Sequence, residues 1–137
     1  MRAYPPSANH PAAKGLLAVL HSDQMVKPVE AQTLIGWIRQ ALDDKKAENI
    51  VALDLRGASE SLDYFVVASG TSRPHLEALE RAVRESLEQR DIRPRRVEGP
   101  SPRWILLDYG EVLVHIMSPE AREYYDLEGF WADAKRI

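Results

Sequence analysis

Few side chains in this chain are spaced for chemistry. The four histidines, His10, His21, His75 and His115, stand at no ligand spacing from one another, and there is no cysteine. A thiolate zinc site is excluded, and imidazole pairs lack the separation that a metal needs. His115 lies alone in an apolar run and reads as a cross-strand neighbour of Trp104. Asp43-Asp44 is followed at once by Lys45-Lys46. Neighbours on a helix point in different directions, so this is a solvated helix end. No nucleophile elbow, Walker loop or dinucleotide fingerprint occurs. Ser69-Gly70-Thr71-Ser72 sits where a strand feeds a helix, a place that attracts anions, but an N-cap explains the same residues. Arg90, Arg93, Arg95, Arg96 and Arg103 gather upstream of Trp104, against Asp91 and Glu98. They either reach phosphate or defend an edge strand against self-association.

The element that must position these groups is Arg103–Pro119, RWILLDYGEVLVHIMSP. Two β-branched and aliphatic runs flank a glycine-containing turn, which predicts a β-hairpin. With Asp108 facing Glu111, Leu107 pairs with Val112, Leu106 with Leu113, Ile105 with Val114 and Trp104 with His115. Alternation then separates two faces. Ile105, Leu107, Val112, Val114 and Ile116 form an aliphatic one, which needs helices over it. Trp104, Leu106, Asp108, Glu111, Leu113 and His115 form a mixed one. Tryptophan beside leucine and charge is the make-up of a protein interface. A thinner second core layer under the last helix accounts for the same residues, and both readings stand.

The 137 residues suit one domain, and 28% charged with 45% hydrophobic residues is a globular balance. A net charge of −3 argues against a general polyanion binder. No apolar run approaches the ~20 residues of a membrane span, and the lack of cysteine suits a reducing, cytoplasmic location. Residues 1–27, with Pro5, Pro6, Pro11 and Gly15, read as a flexible extension, and residues 28–137 as the folded domain. In order, the pattern predicts a helix from Pro28 to Lys46, strands over Asn49–Leu55 and Tyr64–Ser69, and a helix from a Thr71 or Ser72 cap to Arg90. A short edge strand follows over Arg93–Glu98, then the hairpin, then a helix opened by Ser118-Pro119-Glu120. That last helix carries Tyr124, Tyr125 and Leu127, with Phe130 and Trp131 behind it. The expected fold class is α/β, with one mixed sheet of about five strands and flanking helices.

Several motifs in order, LDDKKAENIVALDLRG, DYFVVASGTSRPHLEALE, RVEG and WILLDYGEVLVHIMSPEAREYYDLEGFW, resemble the Iojap family, the bacterial ribosomal silencing factors also called RsfS. The resemblance spans roughly Val29–Trp131. It implies a factor that binds the large ribosomal subunit through its fourteenth L-series protein, blocks joining of the small subunit and represses translation. It implies contacts at Trp104, Asp108 and Tyr109. The shared sheet face adds Leu106, Leu113 and His115, and Arg95, Arg96 and Arg103 are candidates for peripheral rRNA contact. No cofactor, metal or membrane is expected.

The resemblance also implies a topology like that of nucleotidyltransferases. Those enzymes hold metal ions with clustered carboxylates after a Gly-Ser turn. Here the matching strand offers only Glu98, with no Asp-x-Asp after it. The expectation is therefore a steric regulator and not an enzyme. The alternative is a nucleotidyltransferase-fold enzyme or nucleotide-binding protein depending on Asp54, Asp63 or Asp108. A homodimer formed through the Trp104 face is a third reading.

Overall fold

The structure, a computed structural model, describes residues 29–137. The expected extension at 1–27 lies outside them. The chain runs α1 (Ala31–Asp44), β1 (Glu48–Asp54), β2 (Tyr64–Ser69), α2 (Arg73–Glu88), β3 (Arg96–Ser101), β4 (Trp104–Asp108), β5 (Val112–Met117), α3 (Pro119–Tyr125), α4 (Leu127–Phe130) and β6 (Lys135–Arg136). One mixed six-stranded sheet has the order β3-β4-β5-β2-β1-β6. Only β2 and β5 pair in parallel, at its centre, and all six residues of each are buried.

α1 begins at Ala31, three residues after its predicted start at Pro28, with no side-chain cap at Glu30, whereas the start of α2 and the ends of both long helices are set locally. Ser72 caps α2 by accepting the His75 N–H, and Pro74 sits in the first turn. Leu76, Leu79, Val83 and Leu87 make its buried stripe, as Leu34, Ile35, Ile38, Ala41 and Leu42 do for α1. Each helix stops at a left-handed residue, Lys46 (φ 63°) and Asp91 (φ 60°). The next amide then bonds back five residues, Ala47 to Leu42 and Ile92 to Leu87, both at 2.9 Å.

These helices cover one sheet face. Their stripes pack on Tyr64, Val66, Ala68, Leu107, Val112, Val114 and Ile116. The opposite face is not open. Phe65, Val67, Leu106, Leu113 and Met117 join Leu53, Leu55, Leu62, Ala121 and Leu127 in a second core layer. The lid on it is the C-terminal segment. Ser118 caps α3 by accepting the Ala121 N–H at 3.0 Å. Arg122 then donates to Ser69 Oγ at 3.0 Å and to both Glu128 oxygens at 2.7 and 3.2 Å. Finally β6 pairs with β1.

The hairpin differs from its predicted register by two residues. Asp108 pairs with Leu113, Leu107 with Val114, Leu106 with His115, Ile105 with Ile116 and Trp104 with Met117. The cause is the turn. Tyr109 donates to the Val112 carbonyl at 3.0 Å, which leaves Gly110-Glu111 as the two-residue loop. Gly110 has φ +87°, and a primed turn demands positive φ at that first position. Moving a turn by one residue moves the register by two, so each side chain keeps its predicted face. The edge strand also lies three residues downstream of its predicted start, passing Pro100 at a register irregularity. An edge tolerates a proline there because no neighbour needs its amide.

Candidate protein interface

Trp104 opens β4 at the rim of the second layer and is half-buried. Its indole N–H donates to Nδ1 of His115 at 3.1 Å. Its ring lies against Tyr125, with centroids 4.7 Å apart. The contact is set from the backbone. Ser118, the cap of α3, donates its own N–H to the Arg103 carbonyl at 2.9 Å. That bond pins the start of α3 beside Trp104, and about two turns after Ser118 the helix delivers Tyr125 to the indole.

The other residues of the predicted face lie elsewhere. Leu106 and Leu113 are 3% exposed and His115 is fully buried. They belong to the layer that this molecule's own C-terminal segment covers, so of the two readings the thinner second core layer is the one formed and the open mixed face is corrected: only Trp104 at one end and Glu111 in the turn reach solvent. The reason is the thin lid, which seals a row of side chains too apolar to leave wet. Asp108 is 1% exposed. Its carboxylate accepts from the Gly110 N–H at 2.8 Å and from Arg96 Nε at 3.2 Å, with Arg95 at 4.0 Å. It therefore holds the turn and the edge strand together. Tyr109 is half-buried on the opposite, helix-covered side, because alternation places it with Leu107. Burial, with Glu80 nearby, holds its phenol well above the usual range. Trp104 and Tyr109 thus lie on opposite faces of the sheet.

His115 is a neutral imidazole. Nδ1 accepts from Trp104, so the ring proton sits on Nε2, and Phe65 packs edge-on at 4.4 Å. Burial lowers its pKa from 6.5 to about 3. The unfolded chain takes up this proton below pH 6.5 while the folded one refuses it down to about pH 3. Stability is therefore present above pH 6.5 and lost as pH falls. Acidification from pH 7 to 5 is expected to cost about 2 kcal/mol through this residue. Urea titrations at the two pH values check it, and His115→Leu should flatten the difference by that amount.

The exposed aromatics are the feature that sequence reasoning missed. Tyr124 is 81% exposed, Phe130 75% and Tyr125 43%. Tyr124 packs edge-on against Tyr125 at 5.0 Å. Beside them runs a shallow groove lined by Ser101, Arg103, Glu120, Ala121, Tyr124 and Tyr125. The signal was present: adjacent tyrosines on a helix cannot both face inward, and Ala121 and Leu127 already supply the inward positions.

The candidate carboxylates do not form one cluster: Asp54 and Asp63 both lie near Arg56, at the adjoining ends of β1 and β2, and Asp108 lies apart. Asp54 is held by Arg56 at 2.8 and 3.0 Å, which lowers its pKa to about 2. Asp54 on β1 and Asp108 on β4 have β2 and β5 between them, a spread of about 14 Å at ordinary strand spacing. Among the described residues, no group of three or more His, Cys, Asp or Glu could hold a metal ion, and no helix is long and apolar enough to cross a membrane. Arg96 is turned to Asp108 and Glu98, whereas Arg103 is exposed on the groove rim.

Comparison with known proteins agrees with this architecture. A crystal structure from Chromobacterium violaceum superposes with a TM-score of 0.72 at 33% identity, covering 76% of this chain and 88% of that one. The ribosomal silencing factor RsfS of Bacillus subtilis is 40% identical over 95 residues, which are 69% of this chain and 80% of that protein. The mitochondrial assembly of ribosomal large subunit protein 1 of Mus musculus is 29% identical over 80% of this chain and 48% of its own length. The family model described as ribosomal silencing factor during starvation matches residues 28–137. That match takes in every helix and strand described above, and the chain belongs to the ribosomal silencing factor family.

Proposed function

We propose that this protein docks on the large ribosomal subunit, through that subunit's fourteenth L-series protein, and represses translation by keeping the small subunit from joining. The observation that carries the reading is the aromatic cluster Trp104–Tyr125–Tyr124, which reaches solvent beside an apolar groove. Exposed aromatics with a polar rim are the make-up of interface hot spots. The mechanism is occupancy in the cytoplasm, with no bond made or broken. A standard interface covers about 800 Å² per partner. At 100 times its dissociation constant the factor stabilises the blocked subunit by about 2.7 kcal/mol. Arg103, exposed on the rim, is the arginine we assign to peripheral contact with rRNA phosphate.

Sucrose-gradient sedimentation of purified subunits tests the reading. Increasing amounts of the protein should travel with the large subunit and deplete joined ribosomes in proportion. Failure to travel with the large subunit would remove the partner, and cosedimentation without depletion would remove the steric block. Binding that does not weaken as salt rises would remove the phosphate contact.

A further inference from the structure

We infer that Trp104 meets its partner with the face and edge of its ring alone, because His115 has already taken the indole N–H, and that the partner supplies an aliphatic side chain there. This rests on the docking reading above. A tryptophan at an interface has two recognition handles, a large apolar ring and one N–H donor. Here the donor points inward, 3.1 Å from an acceptor that has no solvent exposure. Turning it outward to a partner would leave His115 Nδ1 buried and unpaired. That exchange gains one hydrogen bond and forfeits another, so it adds no net binding. His115 therefore acts as a positioning residue. Together with the Tyr125 ring, it fixes the indole in one orientation before the partner arrives, which spares ordering cost on binding.

The chemistry offered outward is then apolar. The indole packs against the Tyr125 ring, and Tyr125, with Tyr124 and Ala121, lines the neighbouring groove. Arg103 and Glu120 stand on its rim with opposite charge, and its remaining large side chains, Tyr124 and Tyr125, carry none, so the part next to the indole offers a partner no charge. A leucine- or isoleucine-sized side chain of the partner protein fits this description.

Two variants separate the handles. Trp104→Phe keeps a ring and discards the N–H; Trp104→Ala discards both. Affinity for purified large ribosomal subunits should stay within about threefold of wild type for Trp104→Phe and fall at least about 30-fold for Trp104→Ala. Thermal melts first establish that both variants are folded at the assay temperature. Equal large losses in the two folded variants would overturn the inference, since the N–H would then be what the partner reads. Unchanged binding by Trp104→Ala would instead overturn the docking site itself. Separately, the ¹⁵N-indole signal of Trp104 should exchange its proton slowly in the wild type and much faster in His115→Leu. Equal exchange in the two would show that His115 does not hold the N–H.

Discussion

Replacing Tyr124 and Tyr125 together by alanine is expected to weaken binding to the large ribosomal subunit by about 100-fold while leaving the domain folded. The two effects separate because of where the rings sit. Tyr124 is 81% exposed, so the folded chain gains little from it. Tyr125 is 43% exposed and its main contact is the Trp104 ring. An aromatic truncated at the centre of an interface commonly costs at least ~2 kcal/mol of binding, and paired hot spots are not additive. A loss near ~2.7 kcal/mol, or about 100-fold, follows. The measurement is titration of labelled protein against purified subunits, with circular dichroism and a thermal melt as controls. Wild-type affinity in the folded double variant would move the docking surface away from this end of the sheet.

The second large effect falls on stability. Asp108→Ala should destabilise the domain by about 3 kcal/mol, in the range for breaking a buried pair by removing one partner. The carboxylate is 1% exposed and joins the turn, through the Gly110 N–H, to the start of the edge strand, through Arg96 and, further off, Arg95. Its loss leaves the Gly110 amide without that acceptor, while Arg96 keeps Glu98 at 3.1 Å. That surviving pair keeps the cost from running higher. Asp108→Asn retains an acceptor for Gly110 and gives up only the charge, so roughly half the loss should return. Urea denaturation of the three proteins measures the series. A drop below ~1 kcal/mol for alanine would show that the turn is held by Gly110 and the β4–β5 ladder alone. The contacts that the structure gives Asp108 are inside the fold.

How far each prediction could be seen in advance depends on the range of the forces involved. The faces of the hairpin were legible, since alternation is a property of every extended strand. Its register was not. Only a primed turn with Gly110 in first place decides between pairings that differ by two residues and bury the same side chains. The start of α2 was legible because Ser72 and Pro74 act within one turn. The fate of the mixed face was not, because Ala121 and Leu127 reach Leu106 and Leu113 only after the chain has folded back over the sheet.

The amino-acid order by itself determined the α/β class, the Ser72 and Ser118 helix starts, the two chemically distinct sheet faces and the family, all of which depend on neighbours within a few residues or on motif order. Tertiary structure alone decided that His115 and Asp108 are interior, and that Tyr125, with Tyr124 against it, stands beside the indole. Those outcomes depend on contacts between segments distant in sequence. Which apolar side chains such contacts cover is settled by the area removed from water across the whole assembly, a quantity that no local pattern contains.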